Sequence, residues 1–281
     1  MTTTVFLVVL FAAGLHAVWN ALVKSGEDKF LGMAAIVLGQ GIPGLLLAPL
    51  LPLPAAESWP YIGASIFLHI GYQLFLLYSY RIGDLTQVYP LARGSAPLLV
   101  TLFSVLVLGV HFDGVQLFAV ALIVAGIASL GLVRSGAGQK NGTATLLALM
   151  TGAFIASYSI IDGSGARLAG TALGFYCWAA MGNLIVYFIF MGLTKPETLA
   201  QLPKVGKKLT VIGGGASFAA YALVVWAFTQ APIALVTALR ETSIVFALLI
   251  GVFVLREPLN LLKVASTMAT LCGAALLRFA R

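Results

Sequence analysis

Three ionisable residues sit where charge is expensive: Arg93, Arg240 and Glu241 each lie well inside a long apolar run. Each is about eight residues from the start of its run, which at 1.5 Å rise per residue is roughly 12 Å deep. A charge at the centre of a bilayer costs at least about 2.5–3.5 kcal/mol, so it needs a partner or a watery cavity. A shift of 148 residues lays Arg93 onto Glu241, and a twofold relation would bring them together as a buried pair. That pairing leaves Arg240 without a sequence-local partner. A free guanidinium there can grip a carboxylate, phosphate or phosphonate bidentately. The other reading is a structural Arg93–Glu241 bridge with Arg240 bonded to backbone carbonyls. Tyr89 and Thr237 stand one turn before Arg93 and Glu241 and share their faces.

A second set is His16, Trp19 and Asn20, matched by Tyr158, Ser159 and Asp162. His16 and Asn20 are four apart, as are Tyr158 and Asp162, so each pair shares a helix face. Asp162 falls at the predicted end of its helix, which leaves a solvated terminus as the alternative to a site role. His16 and His69 titrate near neutral pH and are candidates for coupling to protons, against the plainer role of hydrogen-bonded packing. Tyr72, Gln73, Tyr78, Trp178, Asn183, Tyr187 and Trp226 are weaker candidates, since aromatics in such chains are usually core or interface anchors.

Other chemistries lack their residues. The histidines, His16, His69 and His111, have no metal-ligand spacing, and no His-Glu-x-x-His helix or paired aspartates suggest an intramembrane enzyme. No phosphate-binding Gly-x-x-x-x-Gly-Lys-Ser/Thr loop occurs, so no nucleotide or other cofactor is expected. No filter sequence points to a channel. Cys177 and Cys272 lie in apolar runs and read as small buried hydrophobes.

The elements that hold these residues are set by solvent. Hydrophobic residues make up 60% of the chain and charged residues 9%, against roughly 45–50% and about 25% in soluble domains. A surface that apolar is solvated by lipid. The 30 glycines fit helices packed closely in a bilayer. The net charge of +7 is scattered over short loops, which argues against a nucleic-acid partner. Ten runs reach spanning length: 4–23, 30–51, 59–80, 85–109, 115–133, 143–161, 171–193, 209–229, 233–255 and 261–279. The first lacks the basic flank of a signal peptide and is expected to be a membrane span. Residues 195–208 form the longest and most basic loop.

The fold expected is all-α and polytopic, with ten transmembrane helices in two five-helix repeats, 1–138 and 139–281. A second shift, of 139 residues, lays Val18-Trp19-Asn20 onto Ser157-Tyr158-Ser159. Five is odd, so the halves would enter the membrane in opposite senses, the inverted plan of many secondary carriers.

These features resemble the drug/metabolite transporter superfamily, specifically its EamA-like carriers, along the whole chain. The stretches that carry the resemblance are His16 to Asn20, Tyr89 to Pro97, Ile155 to Gly163, and Arg240 to Ser243, in that order. Leu255 to Leu259 resembles the family's short acidic turn; its usual counterpart in the first half is replaced by Val110-His111-Phe112, which leaves Glu257 a structural or gating candidate. The resemblance implies alternating access around a central cavity and movement of a small polar metabolite, amino acid-like or an organic anion, often outward. It also implies a plasma (inner) membrane location, for a monomer or a homodimer. Some relatives of this kind look associated with phosphonate use.

Topology divides the two lines of argument. Loops after odd-numbered spans hold Lys24, Lys29, Arg81, Arg134, Lys140, Lys195, Lys204, Lys207, Lys208, Arg256 and Lys263, whereas the other side holds Arg167, Arg278 and Arg281. The positive-inside rule puts the first group in the cytoplasm and both termini outside. The resemblance implies both termini inside.

Overall fold

The computed structural model describes residues 1–24, 28–82, 85–130, 142–254 and 261–279, and no strand occurs among them. Helices are what runs of about 20 unbroken apolar residues demand, because in lipid such a segment satisfies its backbone by intrasegment hydrogen bonds, whereas the strands of a closed barrel are short and alternate in polarity. They are α1 (Thr3–Lys24), α2 (Lys29–Leu47), α3 (Trp59–Ile82), α4 (Leu85–Leu106), α5 (Gly114–Leu130) and α6 (Gly142–Leu168). The second half continues with α7 (Ala172–Thr194), α8 (Pro196–Val205), α9 (Gly215–Gln230), α10 (Ile233–Arg240), α11 (Ser243–Phe253) and α12 (Leu261–Phe279). A π-helical turn over Leu209–Gly214 leads straight into α9.

Among the described residues, seven stretches are long and apolar enough to cross a membrane, and three further apolar helices, Leu91–Leu106, Gly114–Ser129 and Val264–Leu277, are shorter. Large apolar side chains such as Leu46, Phe67, Ile189 and Leu193 face outward, as a lipid-solvated surface requires.

Local chemistry sets the helix ends. Asp28 Oδ1 accepts the amides of Phe30 and Leu31 at 2.8 and 3.1 Å and starts α2. Asp113 and Gln116 exchange backbone and side-chain bonds to start α5, a capping box with glutamine in the acceptor role. Thr171 Oγ1 caps α7. Gly170, with φ of 83°, ends the preceding turn in a conformation open to glycine.

Two elements depart from the sequence expectations. The basic loop at 195–208 contains α8, whose Leu199 and Leu202 pack against the core under α2 and α7. The sixth span runs on to Leu168 because Ala166 and Ala169 pack against Ile62 and Phe175. Asp162 is therefore inside a helix and buried, not at a solvated end.

Packing links the two halves of the chain. The α2 helix packs on α7 and α5 on α12; α3 and α4 pack on α6, while α9, α10 and α11 pack on α1. At the centre is α10, every residue of which is buried. The core around it includes Val9, Ile123, Val236 and Leu239.

Candidate functional site

The ninth predicted span is broken at its middle. After Arg240 the backbone tightens: Glu241 N–H reaches Ala238 O at 3.1 Å and Thr242 N–H reaches Leu239 O at 3.1 Å, before α11 begins at Ser243. Bonds to the third residue back replace the α-helical ladder for one turn. Broken helices at membrane depth occur where the break is buried in protein or lines a cavity. Here the break carries Arg240 and Glu241.

Arg93 of α4 meets this break. Its Nε donates to Glu241 Oε2 at 2.8 Å, and its Nη2 reaches Ser243 Oγ at 3.4 Å. Arg93, Arg240 and Glu241 are 4%, 2% and 0% exposed, so none is solvated by bulk water. Arg240 Nε stands 3.9 Å from Glu241 Oε1, within ion-pair range and beyond hydrogen-bond range. Arg240 Nε and Nη2, and Glu241 Oε1, have no hydrogen-bond partner among the described residues. The cluster thus contains two guanidinium groups and one carboxylate. Arg240 keeps two donor nitrogens, Nε and Nη2, for the oxygens of an anion.

His16 comes to the same place from α1. Trp19 Nε1 donates to His16 Nδ1 at 3.2 Å, and Asn20 Nδ2 donates to the His16 carbonyl at 2.7 Å. The charges of Arg93 and Arg240 both reach the His16 imidazole. Trp19 and Asn20 thus hold the histidine's ring and backbone beside the arginine pair.

On the other side is an aromatic box. His69 of α3 stacks on Tyr158 of α6, with ring centroids 4.2 Å apart, and Tyr221 of α9 meets both rings edge-on. Tyr72 adds an edge to Tyr158, and Tyr176 of α7 adds one to Tyr221. Asp162 lies at the box: Tyr221 Oη donates to its Oδ2 at 2.6 Å, and His69 Nε2 is 3.8 Å from the same oxygen. Asp162 Oδ1 has no hydrogen-bond partner among the described residues. Tyr158 connects the two groups, since it lies within reach of the charges of Arg240, Arg93, Asp162 and Glu241.

Most residues singled out in the sequence therefore meet: Arg93, Arg240, Glu241, His16, Trp19, Asn20, Tyr158, Asp162 and His69. The Tyr89 side chain and Glu257 lie outside the described residues. Several weaker candidates lie elsewhere. Trp178 packs edge-on against the half-exposed Trp59, Tyr187 is in the core under α8, and Tyr78 is exposed beside Phe30. Sequence reasoning passed over Tyr221 and Tyr176. A signal existed in Ser217 and Tyr221, polar groups four apart in one apolar span; Ser217 accepts a bond from Gln40 of α2 at 2.8 Å. Arg167 was counted as a loop charge. Instead its Nε and Nη2 donate to Phe228 O and Nη2 also to Ala231 O, capping the end of α9 at 2.7–2.9 Å.

Comparisons with known proteins bear on the family and the fold. The sequence profile of the EamA-like transporter family matches residues 142–279. No curated protein matches the chain. A solved crystal structure superposes with a TM-score of 0.77 at 19% identity, over 98% of this chain and 96% of its own, a likeness of fold. With an EamA-like second half and that fold along its length, the chain is a multi-pass membrane transporter similar to the EamA-like carriers of the drug/metabolite transporter superfamily.

Proposed function

We propose that the protein is a secondary carrier that moves a small polar metabolite with an anionic group across the plasma (inner) membrane by alternating access. The observation that carries this reading is Arg240: buried, with one carboxylate beside it among the described residues, already bonded to Arg93, and with two donor nitrogens unspent. Two buried cations that share one carboxylate are under-compensated, and a substrate carboxylate, phosphate or phosphonate supplies the missing charge.

The architecture proposed is ten crossings in two inverted five-helix units, 1–138 and 139–281, with the three shorter apolar helices completing the seven long ones. Packing supports it. If α1 to α5 correspond in order to α6, α7, α9, the broken α10–α11 span and α12, the contacts come in related pairs. The α3–α6 contact then has its counterpart in α9–α1, and α4–α6 in α10–α1 and α11–α1, while α2–α7 and α5–α12 are their own counterparts. The Arg93–Glu241 bond joins positions 148 residues apart, the spacing of the repeat. In such a plan the site lies between the halves, where rocking of one against the other exposes it to each side in turn. Export is the direction the family resemblance favours.

The test is a thermal-shift series on purified full-length protein with amino acids, carboxylates, phosphonates, sugars and amines, followed by counterflow of the strongest stabiliser in proteoliposomes. Arg240→Ala is expected to weaken binding about 10- to 100-fold, the worth of hydrogen bonds to a charged group, with insertion unchanged and Arg240→Lys intermediate. Stabilisation by cations alone would overturn the anion reading.

A further inference from the structure

We propose that the ion coupled to transport is a proton, and that it is held between His69 of α3 and Asp162 of α6, apart from the Arg240 cluster. The inference rests on the carrier reading above and names what drives it.

The bonding of His69 is the reason. Its Nδ1 lies 3.0 Å from the carbonyl oxygen of Ser65 and 3.4 Å from the Ser65 hydroxyl. A carbonyl only accepts, so Nδ1 carries the hydrogen and the neutral ring leaves Nε2 bare. Nε2 stands 3.8 Å from Asp162 Oδ2. A lone pair beside an ionised carboxylate is an unfavourable neighbour. One added proton makes the ring an imidazolium, and the same contact becomes an ion pair. The place is thus built for a single proton, taken up by the Nε2 lone pair and given back from it. His69 keeps 19% of its side chain exposed and Asp162 2%, so the imidazole is the member that water reaches.

The groups around the pair hold it in place. Tyr221 of α9 donates to the same Oδ2 at 2.6 Å, and the Ser65 hydroxyl is a further polar neighbour of the Asp162 carboxyl. Tyr158 stacks on the His69 ring, Tyr221 meets that ring edge-on, and Tyr72 of α3 meets Tyr158 edge-on. The other packed elements bring Tyr176 of α7, on which the Asp162 charge bears, and Arg240 of α10, whose charge reaches Asp162. From α4 comes Arg93, whose charge reaches Tyr158, while Glu57, just before α3, is exposed. Position in the fold gives the proton its use, because α3 is in the first half of the chain and α6 and α9 are in the second. Protonation adds an ion pair across the α3–α6 contact and deprotonation removes it, so the proton biases whether that contact stays closed.

Two measurements on the full-length protein test the proposal. The first needs no solute: NMR of protein carrying isotope-labelled histidine, with the His69 signals identified by their loss in His69→Gln. Neutral His69 is expected as the Nδ1–H tautomer, with Nε2 taking a proton on acidification. A hydrogen on Nε2 in the neutral ring overturns the proposal. The second uses the carboxylate or phosphonate with the largest thermal shift in the series above, in proteoliposomes with the membrane potential clamped at zero. A pH difference of one unit is expected to hold a steady-state gradient of that probe of about 10-fold, the worth of one proton per solute. Asp162→Asn and His69→Gln are each expected to bring that gradient close to parity while counterflow at equal pH is still detected. The steady-state gradient reports coupling and not rate, so a variant that is merely slower still reaches it. His69→Gln keeps the proposal testable if Asp162→Asn does not insert. Counterflow in the wild type without a pH-driven gradient overturns the proposal and leaves the anion carrier intact, and so does a variant that keeps the full gradient. Absence of counterflow for every carboxylate and phosphonate of the series overturns the carrier reading and this one together.

Discussion

Glu241 is the residue on which the buried charge balance turns. It is bonded to Arg93 at 2.8 Å and stands 3.9 Å from Arg240, so it offsets two cations at once. Removing one partner of a buried pair costs about 3–5 kcal/mol, because the other is left uncompensated. The two partners are not equivalent here. Without Arg93, Glu241 still has Arg240 within ion-pair reach; without Glu241, two buried guanidinium groups lose the carboxylate they share. Glu241→Leu is therefore expected to lower the melting temperature in detergent more than Arg93→Leu. The double Arg93→Leu/Glu241→Leu protein is expected to be more stable than Glu241→Leu alone. A double variant as unstable as the sum of the singles would mean the two side chains do not interact.

At the scale of elements, small residues and one arginine fix how the helices meet. A Cβ on Gly39 of α2 would meet Thr210 O and Gly214 Cα, backbone that cannot swing aside, and a Cβ on Gly214 would meet Gly39 in return. Gly39→Ala and Gly214→Ala are each expected to reduce folded yield and melting temperature, by at least the roughly 1–3 kcal/mol of an overpacked site. Gly63→Ala, where a Cβ meets open space, is expected to behave as wild type. Size-exclusion yield and a melting curve for the three proteins check this. Arg167 ties the end of α6 to the turn between α9 and α10 by three bonds to carbonyl oxygens. Arg167→Ala is expected to cost about 1–2 kcal/mol of stability by uncapping α9, measured as a lower melting temperature, with Arg167→Lys recovering part of it.

For the whole molecule, orientation in the membrane follows from charge. Lys195, Lys204, Lys207 and Lys208 flank or lie in α8, and the ten-span reading of the sequence puts the rest of the basic excess on the same side as they are. Lys195 sits 4.5 Å from the Phe30 ring at the start of α2, which draws the α1–α2 and α7–α8 connections together. The positive-inside rule then predicts both termini outside. Alkaline phosphatase fused after Arg281 is expected to be active and a cytoplasm-dependent fluorescent reporter dark. The reverse pattern would put both termini inside, as the family resemblance implies.

Composition determined the solvent, and the length of the unbroken apolar runs determined the helical class, because a closed barrel would need short strands of alternating polarity. Charges deep in apolar runs were legible for the same reason: Arg93, Arg240 and Glu241 stand out where each costs several kcal/mol, and their 148-residue spacing anticipated the bond between two of them. Periodicity could not give the limits of α6 or the presence of α8, because helices apolar on every face carry no phase. For that reason Asp162 read as a helix end. Tertiary packing alone brought α3, α6 and α9 together so that His69, Tyr158 and Tyr221 surround that aspartate. Tyrosines are common in apolar spans, and only the crossing of three helices separates a lining from an ordinary core. The sequence thus marked the buried Arg240, while the packing assembled the aromatic group around Asp162.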